Sequence, residues 1–106
     1  MARRVRWTEV AWRDLEAAAD YIARDSKPYA LALFDKARER ARSLKTNPLR
    51  GRVVPEADDE TIREVYVDRY RLMYKVTDDE VRIIAFIHGA RDFERIWRAE
   101  KDERDE

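Results

Sequence analysis

A single histidine, an arginine-rich set of cations and a lack of cysteine bound the chemistry this chain can offer. His88 is the one side chain whose unperturbed pKa lies near neutrality, so it is the natural proton donor or acceptor. It stands where an apolar segment ends before Gly89, a place more often filled by a hydrogen-bonded fold element than by a catalyst. One histidine cannot build a multi-histidine metal site, and without cysteine there are no thiolate ligands and no disulfides. No metal and no cofactor is therefore expected. Arginine far outnumbers lysine, and guanidinium offers a planar fork of donors for phosphate or carboxylate. Arg71 and Glu64 fall in neighbouring strand-like segments, where a cross-strand ion pair and an anion-binding role are both open. Arg91 and Asp92 suit a local ion pair and a helix cap. Lys36, Arg38, Arg40, Arg42 and Lys45 give one side of a helical segment a cationic face. That face is either simply solvated or a seat for an acidic partner segment or DNA.

These residues need elements to hold them. Val5 and Trp7 alternate with Arg4 and Arg6, which predicts a short strand. Thr8 is placed to cap a helix running to about Arg24, with Ala11, Trp12, Leu15, Ala18, Ala19 and Ile22 on one stripe. Pro28 fits the first turn of a second helix, with Ala30, Leu33, Phe34, Ala37, Ala41 and Leu44 facing inward. Asn47-Pro48 ends it. So short a link makes the two helices antiparallel. Residues 49–60 read as a loop, with Gly51 and Pro55 as breakers. The period then changes to two. Strands are predicted over Thr61 to Val67, Tyr70 to Thr77 and Val81 to His88, joined by hairpin turns. Asp92 is placed to cap a short helix through Trp97.

The expected fold class is α+β, in the order β-α-α-β-β-β with a short C-terminal helix. An antiparallel sheet carries both helices on one face and leaves the other face at least partly open. The 106 residues form one domain, spanning 1–97, with a charged, frayed tail at 98–106. A chain of this size buries roughly two-thirds of its unfolded surface, enough for one modest core. Charged residues make up 43%, with 23 basic against 23 acidic, so net charge excludes no partner. The opening residues lack the apolar stretch of a signal peptide, and no run reaches the roughly 20 apolar residues of a membrane helix. A cytoplasmic protein without a membrane partner is expected.

Three runs, GRVVPE (51–56), IREVYVDRYRLMYKV (62–76) and IIAFIHGARD (83–92), resemble the RelE/ParE toxin superfamily. The early WTEVAWRDLEAAADYI (7–22) fits its opening strand and helix, so the resemblance covers the chain to about Trp97. It implies the toxin of a type II toxin–antitoxin system, neutralised by a cognate antitoxin in a hetero-oligomer. The superfamily divides by target. RelE-like members cleave mRNA on the ribosome without metal; ParE-like members inhibit DNA gyrase.

Under the nuclease branch, the resemblance gives Arg71 a phosphate-stabilising role and Arg91 a leaving-group role. The family's C-terminal tyrosine falls on Trp97, whose indole cannot act as an acid or base near neutral pH. The lysine pair of the RelE-like enzymes falls within Ile62 to Val65, where Arg63 and Glu64 stand instead. Arginine stays protonated and makes a poor base. A variant pattern with a glutamate base and a histidine acid would use Glu64 and His88. The HGAR context is closer to ParE-like toxins. The expectation is thus a ParE-like toxin acting by binding, leaning away from an enzyme, with DNA gyrase as target and growth inhibition as outcome. Arg63, Arg71, His88, Arg91 and Trp97 are its expected target- or antitoxin-binding residues. A ribosome-dependent mRNA endonuclease, or an inactive member that only binds its antitoxin, is the alternative.

Overall fold

In the computed structural model, which describes residues 3–89, the chain runs through seven main elements. They are β1 (Arg4–Trp7), α1 (Glu9–Ala23), α2 (Lys27–Ser43), β2 (Arg52–Val53), β3 (Ile62–Val67), β4 (Tyr70–Val76) and β5 (Glu80–His88). Thr8 begins α1 as expected: its extended backbone turns the chain, and its hydroxyl accepts the Ala11 amide at 3.1 Å. Ser26 does the same for α2, accepting from Tyr29 at 3.2 Å, with proline in the first turn. The described residues thus give the expected β-α-α-β-β-β order, with the two-residue β2 added ahead of the three predicted strands.

The strands form one sheet in the order β1-β5-β4-β3-β2. The predicted all-antiparallel sheet needs one correction. The four strands β2 to β5 are an antiparallel meander, but β1 pairs with β5 in parallel, from Arg4 opposite Glu80 to Trp7 opposite Ile83. The cause is connectivity. The chain leaves β1 through the helical hairpin, crosses one sheet face and re-enters at the far edge. The meander then returns to β1 running in its direction.

The helices cover that face. Leu15, Leu33 and Leu44 pack with Leu72, Tyr74, Ile83 and Phe86, and Val65, Val67, Val81 and the alanines at 11, 18, 37 and 41 complete the buried cluster. The opposite face is less open than expected. Val54 and Ala57 cover Ile62, Met73, Ile84, Ala85 and Ile87 in a second buried cluster. A bulge supports this arrangement. Met73 pairs with Ala85 while Tyr74 pairs with Ile83, so Ile84 is an extra residue that turns with Ala85 toward the second cluster.

The segment predicted as a loop is therefore a built cover. It contains β2 and two single 3-10 turns, at Pro48–Arg50 and Pro55–Ala57. Asp58 ends the second turn in the left-handed region, at φ 51°. The predicted C-terminal helix, Arg91, Asp92, Trp97 and the charged tail lie outside the described residues.

Tyr74 pins this cover from the helix side. Its ring is fully buried, its hydroxyl accepts the Gly51 amide at 2.9 Å and donates to the Pro48 carbonyl at 2.8 Å. Gly51 is required by proximity: a Cβ there would sit 2.5 Å from both the Glu64 carbonyl oxygen and the Tyr74 hydroxyl. Tyr74→Phe keeps the ring but strands both backbone groups, at a cost of about 1–3 kcal/mol. Urea unfolding should show this loss with an unchanged m-value, because the cover is loosened rather than the fold exchanged.

Candidate functional site

Alternation along β3 and β4 decides which polar side chains meet. Glu64 and Arg71 share the sheet face away from the helices, as diagonal neighbours across the β3–β4 pairing of Glu64 with Met73 and Tyr66 with Arg71. Arg71 Nε donates to Glu64 Oε1 at 2.6 Å. Its two terminal nitrogens donate to Glu56 at 3.2 and 3.1 Å, in a bidentate fork. Arg52, opposite Glu64 on β2, donates through Nε to the other Glu64 oxygen at 2.6 Å. The result is a chain of two guanidinium groups and two carboxylates, Arg52–Glu64–Arg71–Glu56.

Burial grades along this chain. The Glu64 side chain is 0% exposed and that of Arg71 6%, while Arg52 and Glu56 are 62% and 44% exposed. The inner pair would be costly alone, since each ion gives up its water. The outer pair supplies hydrogen bonds that offset that penalty. Burial works to raise the carboxyl pKa of Glu56, but hydrogen bonds and charge from Arg71, with Arg52 nearby, hold it below the usual range. Burial likewise opposes the Arg71 charge, and the two glutamates outweigh it, so its pKa rises.

A carboxylate acts as general base only if one oxygen can reach the proton it abstracts. Both Glu64 oxygens are occupied by guanidinium groups in a site closed to solvent. A phosphate approaching Arg71 must displace Glu56 or Glu64. The cross-strand pairing of Arg71 with Glu64, one of the two roles left open by the sequence, is the one the structure contains.

The remaining site residues lie elsewhere. Arg63 is on the helix-side face, opposite Tyr74, where it donates to the Gly51 carbonyl at 2.8 Å. His88 is also on that side. It meets Tyr70 edge-on at 5.5 Å between ring centres, and Tyr70 stacks on Phe86 at 4.9 Å. His88 thus stands across the sheet from Glu64 and Arg71. It borders a groove of about 600 Å³ with Asp14, Tyr21, Arg69 and Tyr70. Asp14 caps the β5 edge there, accepting the Phe86 amide at 3.1 Å. Arg91 and Trp97 fall outside the described residues.

Sequence reasoning missed Arg52 and Glu56. Both lie in the GRVVPE run, but nothing local indicates that a 3-10 turn folds Glu56 back over β4. Among the described residues, no group of three or more histidine, aspartate or glutamate side chains could hold a metal ion. Among them, too, no helix is long and apolar enough to cross a membrane.

Two helices on a mixed five-stranded sheet, with β1 parallel to β5, make a fold shared by proteins of toxin–antitoxin systems. A chain from the chromosomal ParDE toxin–antitoxin system of P. aeruginosa superposes with a TM-score of 0.68 at 20% identity, covering 82% of this chain and 96% of that one. A chain of the RelBE2 toxin–antitoxin complex from Mycobacterium tuberculosis does so at 0.58 and 25% identity, covering 83% and 99%. No curated protein sequence matches. The family model described as ParE toxin of type II toxin-antitoxin system, parDE, matches residues 5–93. The chain belongs to this ParE toxin family, within the RelE/ParE superfamily.

The ion pairs give the fold an acid limit. Glu80, held by Arg6 and Arg82, is depressed in the same sense as Glu56; burial opposes the shift and the two arginines outweigh it. A carboxylate with a lowered folded pKa contributes stability that is present above its unfolded value. That stability is lost as pH falls through the folded one. Unfolding free energy should therefore decline as pH drops below the ordinary value of 4.5. Urea titrations across that range should show a shallower decline for a Glu56→Gln/Glu80→Gln variant. An identical slope would mean that these two pairs contribute nothing to it.

Proposed function

We propose that this chain is a ParE-like toxin that arrests growth by binding its target, with DNA gyrase as that target. A cognate antitoxin neutralises it in a cytoplasmic hetero-oligomer. The family match over residues 5–93 supports the toxin assignment. The observation that carries the choice of binding over cleavage is the closed state of Glu64, gripped on both oxygens while His88 lies on the other sheet face. The residues available for a glutamate–histidine proton relay do not converge on one substrate position.

The antitoxin has a physical seat. Ala19, Ala23, Ala30, Leu31 and Phe34 line an apolar groove of about 330 Å³ between α1 and α2. Leu31, Tyr29 and Tyr21 stand at least 66% exposed along the same hairpin. An amphipathic segment laid into such a groove buries that surface. His88 and its neighbouring aromatic residues offer a second contact region; Arg91 and Trp97 are proposed as contact residues from the resemblance and lie outside the described residues. In this reading Arg63 and Arg71 support the binding surface from beneath it.

The deciding experiment uses purified toxin in two assays. One is gyrase supercoiling with trapping of the cleaved complex; the other is mRNA cleavage on translating ribosomes. The expected result is loss of supercoiling with accumulation of cleaved DNA and intact mRNA. Codon-positioned mRNA cuts with unaffected gyrase would instead establish the RelE-like endonuclease, with Arg71 and Arg91 at its centre. Inactivity in both, with antitoxin binding retained, would mark a member that only binds its antitoxin.

A further inference from the structure

A third surface lies apart from the helical groove and the His88 region. Where the end of α2 meets β1, a groove of about 540 Å³ is lined by Val5, Trp7, Trp12 and four cations: Arg4, Arg38, Arg42 and Lys45. Among the described residues, no carboxylate lines it. Arg38 and Arg42 stand one turn apart on α2, and Lys45 follows just past its C-cap Leu44, so the three continue one cationic stripe. Their neighbours on the same helix are engaged differently. Lys36 pairs with Asp68 at 2.8 Å, and Arg40 donates to the Tyr66 carbonyl at 2.7 Å. Among the described residues, Arg4 alone of the four cations has an acidic partner, Asp79, at 3.8 Å in a largely exposed pair. Arg38 lies over the Phe34 ring at 5.8 Å. Arg38 and Arg42, a turn apart, repel weakly, and the place of Arg42 in the last turn, beside the negative end of the helix, offsets that cost.

The groove floor is aromatic. Trp7 and Trp12 meet edge-to-face at 5.6 Å, and Trp12 meets Phe34 in the same way at 5.3 Å. Both indoles are only partly buried. Cations along one wall and partly exposed aromatic rings on the floor are the combination that binds single-stranded nucleic acid. Phosphates follow the charges, and bases stack on rings. An acidic peptide adding to the β1 edge fits less well. β1 has four residues, and the α2 terminus already blocks its start, with the Arg3 amide donating to the Lys45 carbonyl at 3.1 Å. Little edge remains for a strand to pair with.

We infer that the groove between β1 and the end of α2 binds single-stranded nucleic acid, with Arg4, Arg38, Arg42 and Lys45 on the phosphates and Trp7 and Trp12 beneath the bases. The inference does not depend on gyrase being the target.

The test is fluorescence anisotropy of a labelled oligothymidylate with the full chain, across a salt series, with tryptophan emission read in parallel. Engaging four phosphates should give a slope of log K against log salt of about −2 to −3, from roughly 0.7 per phosphate on a single strand. Binding should also quench tryptophan emission. Arg42→Ala/Lys45→Ala should weaken binding by about tenfold or more at low salt and shorten the slope by roughly 1.4. Both residues are exposed, so the fold should persist. Lys36→Ala, which removes a charge from the same helix outside the groove, should change little. Four outcomes would overturn the inference. These are no binding at low salt, equal loss from Lys36→Ala, a duplex bound as tightly as the single strand, or tighter binding of an oligoglutamate peptide.

Discussion

The ion pair between Arg71 and Glu64 constrains the far side of this molecule. Its carboxylate is fully enclosed and its guanidinium nearly so. Two charges in that setting persist only if their remaining hydrogen-bonding capacity is met. Arg52 and Glu56 meet it, and both come from the segment between α2 and β3. That requirement gives the segment its course. β2 must run beside β3 to deliver Arg52, and a 3-10 turn must fold back to deliver Glu56. Val54 and Ala57 then lie over the second apolar cluster. Removing one inner partner leaves the other charge buried and unmatched, a loss of about 3–5 kcal/mol.

The helix side answers with a neutral clamp. Tyr74 reaches the same segment through Gly51 and Pro48. The covering segment is thus held from both sheet faces, by ions on one and a phenol on the other. This arrangement bears on function. Side chains with the right chemistry for phosphate work are engaged in holding the cover, and the lone histidine lies across the sheet from them. Among the described residues, the open surfaces include the apolar helical groove, the His88 region and the cationic groove at β1. Each offers apolar or charged surface that a partner could cover.

Much of this was legible in the sequence because the periods are clean. The helix stripes from Ala11 to Ile22 and from Ala30 to Leu44, the capping Thr8 and the three strands after residue 60 stand where local patterning put them, within a residue or two. The parallel β1–β5 pair was not legible, since strand direction follows from the route of the whole chain. Nor was the structure within residues 49–60. Its glycine and proline signal breaks, but the reason it folds down lies in Glu64 and Tyr74, outside the segment. Alternation on β3 and β4 did place Arg71 and Glu64 on one face. What it could not give was their burial, which turns an ordinary cross-strand pair into a structural requirement. His88 shows the opposite limit. Its residue type suggested chemistry, and only the β5 register revealed which face it occupies.

The central claim is that Arg71 and Glu64 serve the fold and that toxicity does not pass through them chemically. Replacing the pair together by apolar residues of similar size, Arg71→Met with Glu64→Leu, separates these roles, because a buried ion pair exchanged as a unit is often tolerated. The measurement is growth arrest on induction, beside urea unfolding of the same variant. The account predicts a folded protein that still arrests growth and is still neutralised by its antitoxin. A variant as stable as the parent that no longer arrests growth would contradict it and return Arg71 and Glu64 to an active site.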